Sequence, residues 1–183
     1  AIAKELYSRG ADVTLIMGPT QLAFSANGVN LVNVTTADEM YDVCINKFEQ
    51  THITIMAAAV ADYTPINKAD EKIKKNEGSL NVELTNTKDI LKALGEKKKK
   101  GQILVGFALE TNNEEAFANQ KLKEKNADLI VLNSLNDTGA GFGYDTNKIT
   151  IFEKGGKVYK FETKSKSEVA KDIIDTITQL YYA

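Results

Sequence analysis

The 183-residue sequence predicts a Rossmann-like α/β fold: a mostly parallel sheet between two helical layers, ending in an antiparallel hairpin. Three observations lead there. Short apolar runs bounded by turn residues recur at 11–17, 52–59, 103–108 and 127–133, and the last three read as strands buried on both faces. Stretches with apolar residues at helical spacing alternate with them. Near the end, alternating segments at 148–153 and 157–162 flank Gly155-Gly156, as the two arms of a hairpin do.

Taken in order, residues 1–9 read as a helix with Ile2, Leu6 and Tyr7 on one face and Gly10 as its stop. No capping residue and no initiator methionine stand at its start. A helix-first order in an α/β protein implies a first strand and its loop upstream. Residues 1–183 are therefore expected to be a single domain lacking those two pieces. Strands at 11–17 and 29–34 come next, then a helix to about residue 50 capped by Thr35 or Thr36, with Asp38 and Glu39 suiting its positive end. Met40, Val43, Cys44 and Phe48 form its core stripe. The segment 80–84 alternates as a strand would. Asn86 reads as the cap of the next helix, with Asp89 three residues on. Residues 97–100, all lysine, read as a solvated tail on that helix. A helix from about 114 to 125 and a glycine-rich loop at 134–143 lead to the hairpin. A last helix is capped by Ser165 or Ser167 and carries Val169, Ile173, Ile177 and Leu180 inward.

Composition narrows the function classes. A net charge of −2 supplies no basic field for nucleic acid. One cysteine, Cys44, excludes an internal disulfide framework and reads as a buried, inert thiol. No apolar run reaches membrane-spanning length and no signal peptide is visible, so a cytoplasmic protein is expected. The single histidine, His52, stands apart from any cluster at metal-ligand spacing and reads as the opening of a strand. The glycine-rich loop lacks the Lys-Ser/Thr of a Walker sequence.

The chemistry concentrates between residues 57 and 75. Ala-Ala-Ala-Val-Ala-Asp-Tyr (57–63) follows an apolar strand, and its small side chains allow a ligand or backbone to come close. Asp62 sits just past the strand end, and Lys72, Lys74 and Lys75 follow one loop later. A carboxylate and several ammonium groups after a parallel strand suit a phosphate-bearing ligand. A helix-capping aspartate and a solvated lysine run explain the same letters without a ligand. Lys121 and Lys125, four residues apart, share a helix face; whether it turns inward is open from spacing alone.

These residues also resemble phosphopantothenoylcysteine synthetase, the ligase half of a bacterial bifunctional coenzyme A biosynthesis protein. The resemblance rests on Ala58 to Tyr63 with Lys72-Ile73-Lys74-Lys75, on residues 86–91 and 105–113, and on Phe142-Gly143-Tyr144-Asp145-Thr146-Asn147. It covers nearly the whole chain in order. It implies CTP-dependent ligation of L-cysteine to 4'-phosphopantothenate through an acyl-cytidylate, with Mg²⁺ accompanying CTP. It implies nucleotide contacts at Asp62, Lys72, Lys88, Asp89, Ile90, Leu91, Phe107, Lys121 and Lys125. Ala58 and Ala59 would border the acyl phosphate, Lys72 would be catalytic, and residues 74–81 would form a flap. Part of the acyl site would lie upstream of Ala1. A homodimer sharing its sites, possibly within a bifunctional assembly, is implied too. The resemblance departs from the family at Lys88, where many relatives have proline, and at Leu109, where a smaller residue is usual. The competing reading is an NAD(P)-binding oxidoreductase or a non-catalytic nucleotide-binding domain. An NAD enzyme should end its second strand on Asp or Glu; here Val34 precedes Thr35 and Thr36.

Overall fold

The computed structural model describes residues 1–21, 24–25, 27–69, 71–74, 79–110, 113–134 and 145–182. Helix α1 (Ile2–Ser8) leads into strands β1 (Val13–Met17) and β2 (Val29–Asn33), and helix α2 (Ala37–Phe48) returns to β3 (Ile53–Met56). A two-stranded arm, β4 (Tyr63–Pro65) and β5 (Leu84–Asn86), precedes α3 (Ile90–Lys97). Strand β6 (Ile103–Glu110), helix α4 (Glu114–Glu124) and strand β7 (Leu129–Ser134) follow. The short β8 (Thr146–Asn147), the hairpin β9 (Ile149–Glu153) and β10 (Val158–Lys160), the short β11 (Lys164–Ser165) and α5 (Lys166–Tyr181) come last.

The main sheet has the order β10-β9-β7-β6-β3. Its β3, β6 and β7 run parallel, and the hairpin adds two antiparallel strands. Strands β1 and β2 pair in parallel as a separate sheet, β4 pairs antiparallel with β5, and β8 with β11. The period-2 alternation of strands divides the core. Ile103, Val105, Leu129, Val131, Ile149 and Ile151 face α5, with Ile2 and Leu6 of α1 beside them. Leu104 faces α2 and α3, while Ala108, Ile130 and Leu132 face α4. Helices thus cover both sheet faces, the three layers expected. Strands β6 and β7 are buried on both sides, with Leu104, Val105, Leu129, Ile130 and Val131 fully enclosed.

Local chemistry explains the helix ends. The Thr36 hydroxyl accepts from the Glu39 N–H at the start of α2. Ser165 and Glu168 form a complete capping box on α5, whose stripe of Val169, Ile173 and Ile177 is buried. Cys44 is buried, and burial alone pushes its thiol up to about 11, which keeps it protonated and inert near neutrality.

Four expectations need correction. The strand expected at 52–59 is shorter and only half-buried, because β3 stands at the edge of the main sheet with a neighbour on one side. The strand expected at 80–84 begins at Leu84 instead, where antiparallel pairing with Tyr63–Pro65 fixes its register. Asn86 therefore lies in β5, and Asp89 caps α3 by accepting from the Lys92 N–H at 2.9 Å. The lysines at 97–100 are not one solvated tail. Lys98 is nearly enclosed, donating to the Asp128 carboxylate and the Asn126 carbonyl at 2.7 Å each, and Lys99 pairs with Glu49. The loop at 135–143 and the core of the expected flap, 75–78, lie outside the described residues.

Candidate functional site

A cleft of about 420 Å³ opens beyond the carboxyl end of β3 and over β6, where ligands bind in doubly wound sheets. One wall is the small-residue segment after β3, represented by Ala58 and Val60. The floor is β6 at Phe107. The opposite wall is the turn from Asn86 through Leu91 that starts α3. Lys121 and Lys125 of α4 close the remaining side. Asp62 stands at the junction with the arm. Thr87 ties the two walls together there: its N–H donates to the Asp62 carbonyl at 2.9 Å, and its hydroxyl to the Ala61 carbonyl at 2.6 Å. The antiparallel pairing of β4 with β5 continues that link.

The inward turn of α4 settles what helical spacing left open. Lys121 donates to the Phe107 carbonyl at 3.1 Å, and Lys125 pairs with Asp89 at 2.7 Å. Both face the cleft because Ala118 and Leu122, on the adjoining face, are buried against the sheet. Lys88 adds a third cation from the opposite wall. It pairs with Asp38 at 3.2 Å and sits 4.9 Å from the centre of the Tyr41 ring, both on α2. The hydrogen bond to Asp38 holds its ammonium above the ordinary lysine range. Three ammonium groups, Lys88, Lys121 and Lys125, thus share the cleft with two carboxylates, Asp62 and Asp89. Partial burial pushes the Asp89 carboxyl upward. The bonds from Lys125 and the Lys92 N–H outweigh it, and its net shift is downward.

Of the residues singled out from the sequence, Asp62, Lys88, Asp89, Ile90, Leu91, Phe107, Lys121, Lys125 and Ala58 meet in this cleft. Lys72 and Ala59 are exposed and do not line it. The Ile90 side chain is buried below α3, and half-buried Leu91 packs against the same core. The Phe107 ring does not lie over the cleft as a base platform. Strand alternation turns it toward the cluster beneath α1 and α5, so its carbonyl is what reaches the Lys121 side. The Thr87 N–H, expected among the free donors around residues 87–90 that could hold an anion, is instead taken by the Asp62 carbonyl. Asp38 and Tyr41 were read only as part of a helix. The (i, i+3) spacing of those two was the available signal that they share a face.

Fold and cleft together define a doubly wound α/β domain with a cation-lined cleft at its strand ends. Residues 1–181 match the C-terminal domain of the DNA/pantothenate metabolism flavoproteins, and the chain belongs to that family. It is 49% identical over 182 residues to a cysteine/cysteine sulfinic acid decarboxylase of an unknown prokaryotic organism, covering all of this chain and 51% of that protein. It is 44% identical over 180 residues to the coenzyme A biosynthesis bifunctional protein CoaBC of Bacillus subtilis (strain 168), covering 98% of this chain and 44% of the relative. The chain thus spans about half the length of these relatives. Among solved structures, the C-terminal domain of a CoaBC protein superposes with a TM-score of 0.81 at 38% identity, over 98% of this chain and 79% of that one.

Proposed function

We propose that this chain is the ligase domain of coenzyme A biosynthesis, joining L-cysteine to 4'-phosphopantothenate at the expense of CTP. The observation that carries the reading is the convergence of Lys121, Lys125 and Lys88 with Asp62 in one cleft beside the start of α3. Triphosphate is the charge such a set suits, and the first backbone N–H groups of α3 favour anions further. Asp62 accepts from a ribose hydroxyl or a base amino group, and the backbone at Phe107 reads a base edge. Mg²⁺ enters with the nucleotide. Bound Mg²⁺ would neutralise triphosphate charge, and the triphosphate with water would supply most of its ligands.

The reaction needs positioning and charge neutralisation more than covalent work by the protein. The phosphopantothenate carboxylate attacks the α-phosphorus of CTP, an O–P bond forms, and pyrophosphate leaves. The cysteine amine then attacks the acyl carbon, the C–N bond forms, CMP leaves with the acyl C–O electrons, and the amine's protons pass to solvent. Ala58, on the cleft wall, leaves room for the acyl phosphate, with Ala59 next to it in the chain but outside the cleft lining. Lys72 holds the intermediate's phosphate during the second step. The exposed apolar side chains of the arm and its flanks, Tyr63, Ile66, Val82 and Leu84, supply the contact surface of a homodimer. Among the described residues no helix is long and apolar enough to cross a membrane, and the reading puts the enzyme in the cytoplasm.

A decarboxylase reading has the name of one relative in its favour, but that name describes a protein about twice this length. Calorimetric titration separates the two. CTP should bind with Mg²⁺ present, and Lys121→Ala with Lys125→Ala should weaken it markedly, most at low salt. Coinciding titrations for parent and variant would return both lysines to the solvated surface. Release of carbon dioxide from cysteine, with no nucleotide dependence, would favour the decarboxylase.

A further inference from the structure

Lys125 is the last residue before a sharp stop in α4, and that stop is built unusually. Asn126 adopts the left-handed conformation at φ 48°. Its N–H donates to the Lys123 carbonyl and the next N–H, of Ala127, to the Leu122 carbonyl, the paired bonds of a Schellman stop. Glycine is the ordinary residue there, since it takes positive φ without strain. Here the asparagine side chain does something glycine could not. Its amide donates to the Gly95 carbonyl of α3 at 2.8 Å, one of the end-of-helix acceptors that lack a partner within the helix. Its side-chain oxygen accepts from Lys154 at 2.8 Å. Its backbone carbonyl accepts from Lys98 at 2.7 Å.

Gly95 completes the clasp. It is buried within α3, and a Cβ there would overlap the backbone carbonyl of Lys125. The absence of a side chain lets the end of α4 lie directly on α3. At two points six residues apart, α3 and its cap therefore touch the Lys125 segment. Asp89 at its start meets the ammonium at 2.7 Å, and Gly95 near its end meets the backbone.

We propose that Gly95 and Asn126 are positioning residues that lock Lys125 at the phosphate-facing wall of the cleft. The inference rests on the nucleotide-binding reading given above and adds to it two residues that touch no ligand. Helix-stop logic alone predicts that Asn126→Gly is harmless. The clasp predicts that it frees Lys125 while keeping the left-handed stop.

The test is a double-mutant cycle on CTP binding by the intact protein, with inorganic triphosphate as a second probe and titrations at several salt concentrations. Asn126→Gly should stay folded by circular dichroism yet bind CTP about tenfold more weakly, the size of one charge-assisted contact, with a shallower salt dependence. The same change in a Lys125→Ala background should add almost nothing, because the residue it positions is gone. Gly95→Ala should act in the same direction, and if it fails to fold the asparagine cycle still decides. Binding by Asn126→Gly equal to the parent, or a loss undiminished in the Lys125→Ala background, overturns the clasp. Parent protein that binds neither CTP nor triphosphate overturns the nucleotide reading itself, a result visible before any variant is made.

Discussion

Lys72 is the residue whose role is least evident from its surroundings. It is exposed and is not among the residues that line the cleft, so the catalytic role proposed for it rests on the reacting intermediate. If it holds the intermediate's phosphate, Lys72→Gln should cut product formation by about 10²–10³-fold, the range for removal of one transition-state donor. The fold should not suffer, since an exposed lysine stabilises little. Ligation at close to the parent rate by a folded Lys72→Gln protein would remove it from the mechanism. Lys121 and Lys125 differ in kind. Each already has a protein acceptor, the Phe107 carbonyl and the Asp89 carboxylate, so a phosphate must share or displace that partner.

Elements, not single letters, decided what could be read in advance. Strands β6 and β7 were legible because a strand buried on both faces must be apolar throughout, and α5 because its cap and its stripe agree. The cleft was half legible. Asp62 and the lysines were visible as residues, but the 86–91 wall is brought to Asp62 by β4 pairing with β5 across about twenty residues, and short polar strands leave little periodic signal. Asp89 was misassigned for the same reason: once β5 claims Asn86, the helix must start later. Lys98 was misread because a lysine run looks solvated until one member folds against a half-buried carboxylate. That carboxylate, Asp128, also accepts from the Leu104 N–H at 2.7 Å and so joins α3, β6 and the start of β7. Asp128→Ala should leave Lys98 short of its counter-charge and cost about 3 kcal/mol. Urea denaturation checks this; an unchanged midpoint would show that the pair contributes nothing net.

The domain presents two surfaces with different consequences. The strand-end cleft carries charge, while the β4–β5 arm and its flanks carry large apolar side chains, with Tyr63 at 61% and Leu84 at 53% exposure. A two-stranded ribbon alone is marginal in water, and a second copy covering it would remove that apolar area from solvent. Leu84→Lys should therefore shift the protein toward monomer in analytical ultracentrifugation. Because Asp62 and Thr87 join the arm to the cleft, ligation should fall with the dimer. A parent protein that sediments as a monomer would overturn the proposed homodimer, and a dimer unchanged by Leu84→Lys would remove the arm from its interface. The chemistry itself is tested by following CTP, CMP, pyrophosphate and the cysteine adduct together in one reaction with the intact protein, Mg²⁺, 4'-phosphopantothenate and L-cysteine. The expected result is one CMP and one pyrophosphate per adduct, with CTP preferred over ATP, and pyrophosphate released without cysteine only to about the amount of enzyme. Adduct formation that consumes no nucleotide, or CTP cleaved to CDP and phosphate, would contradict an acyl-cytidylate ligase.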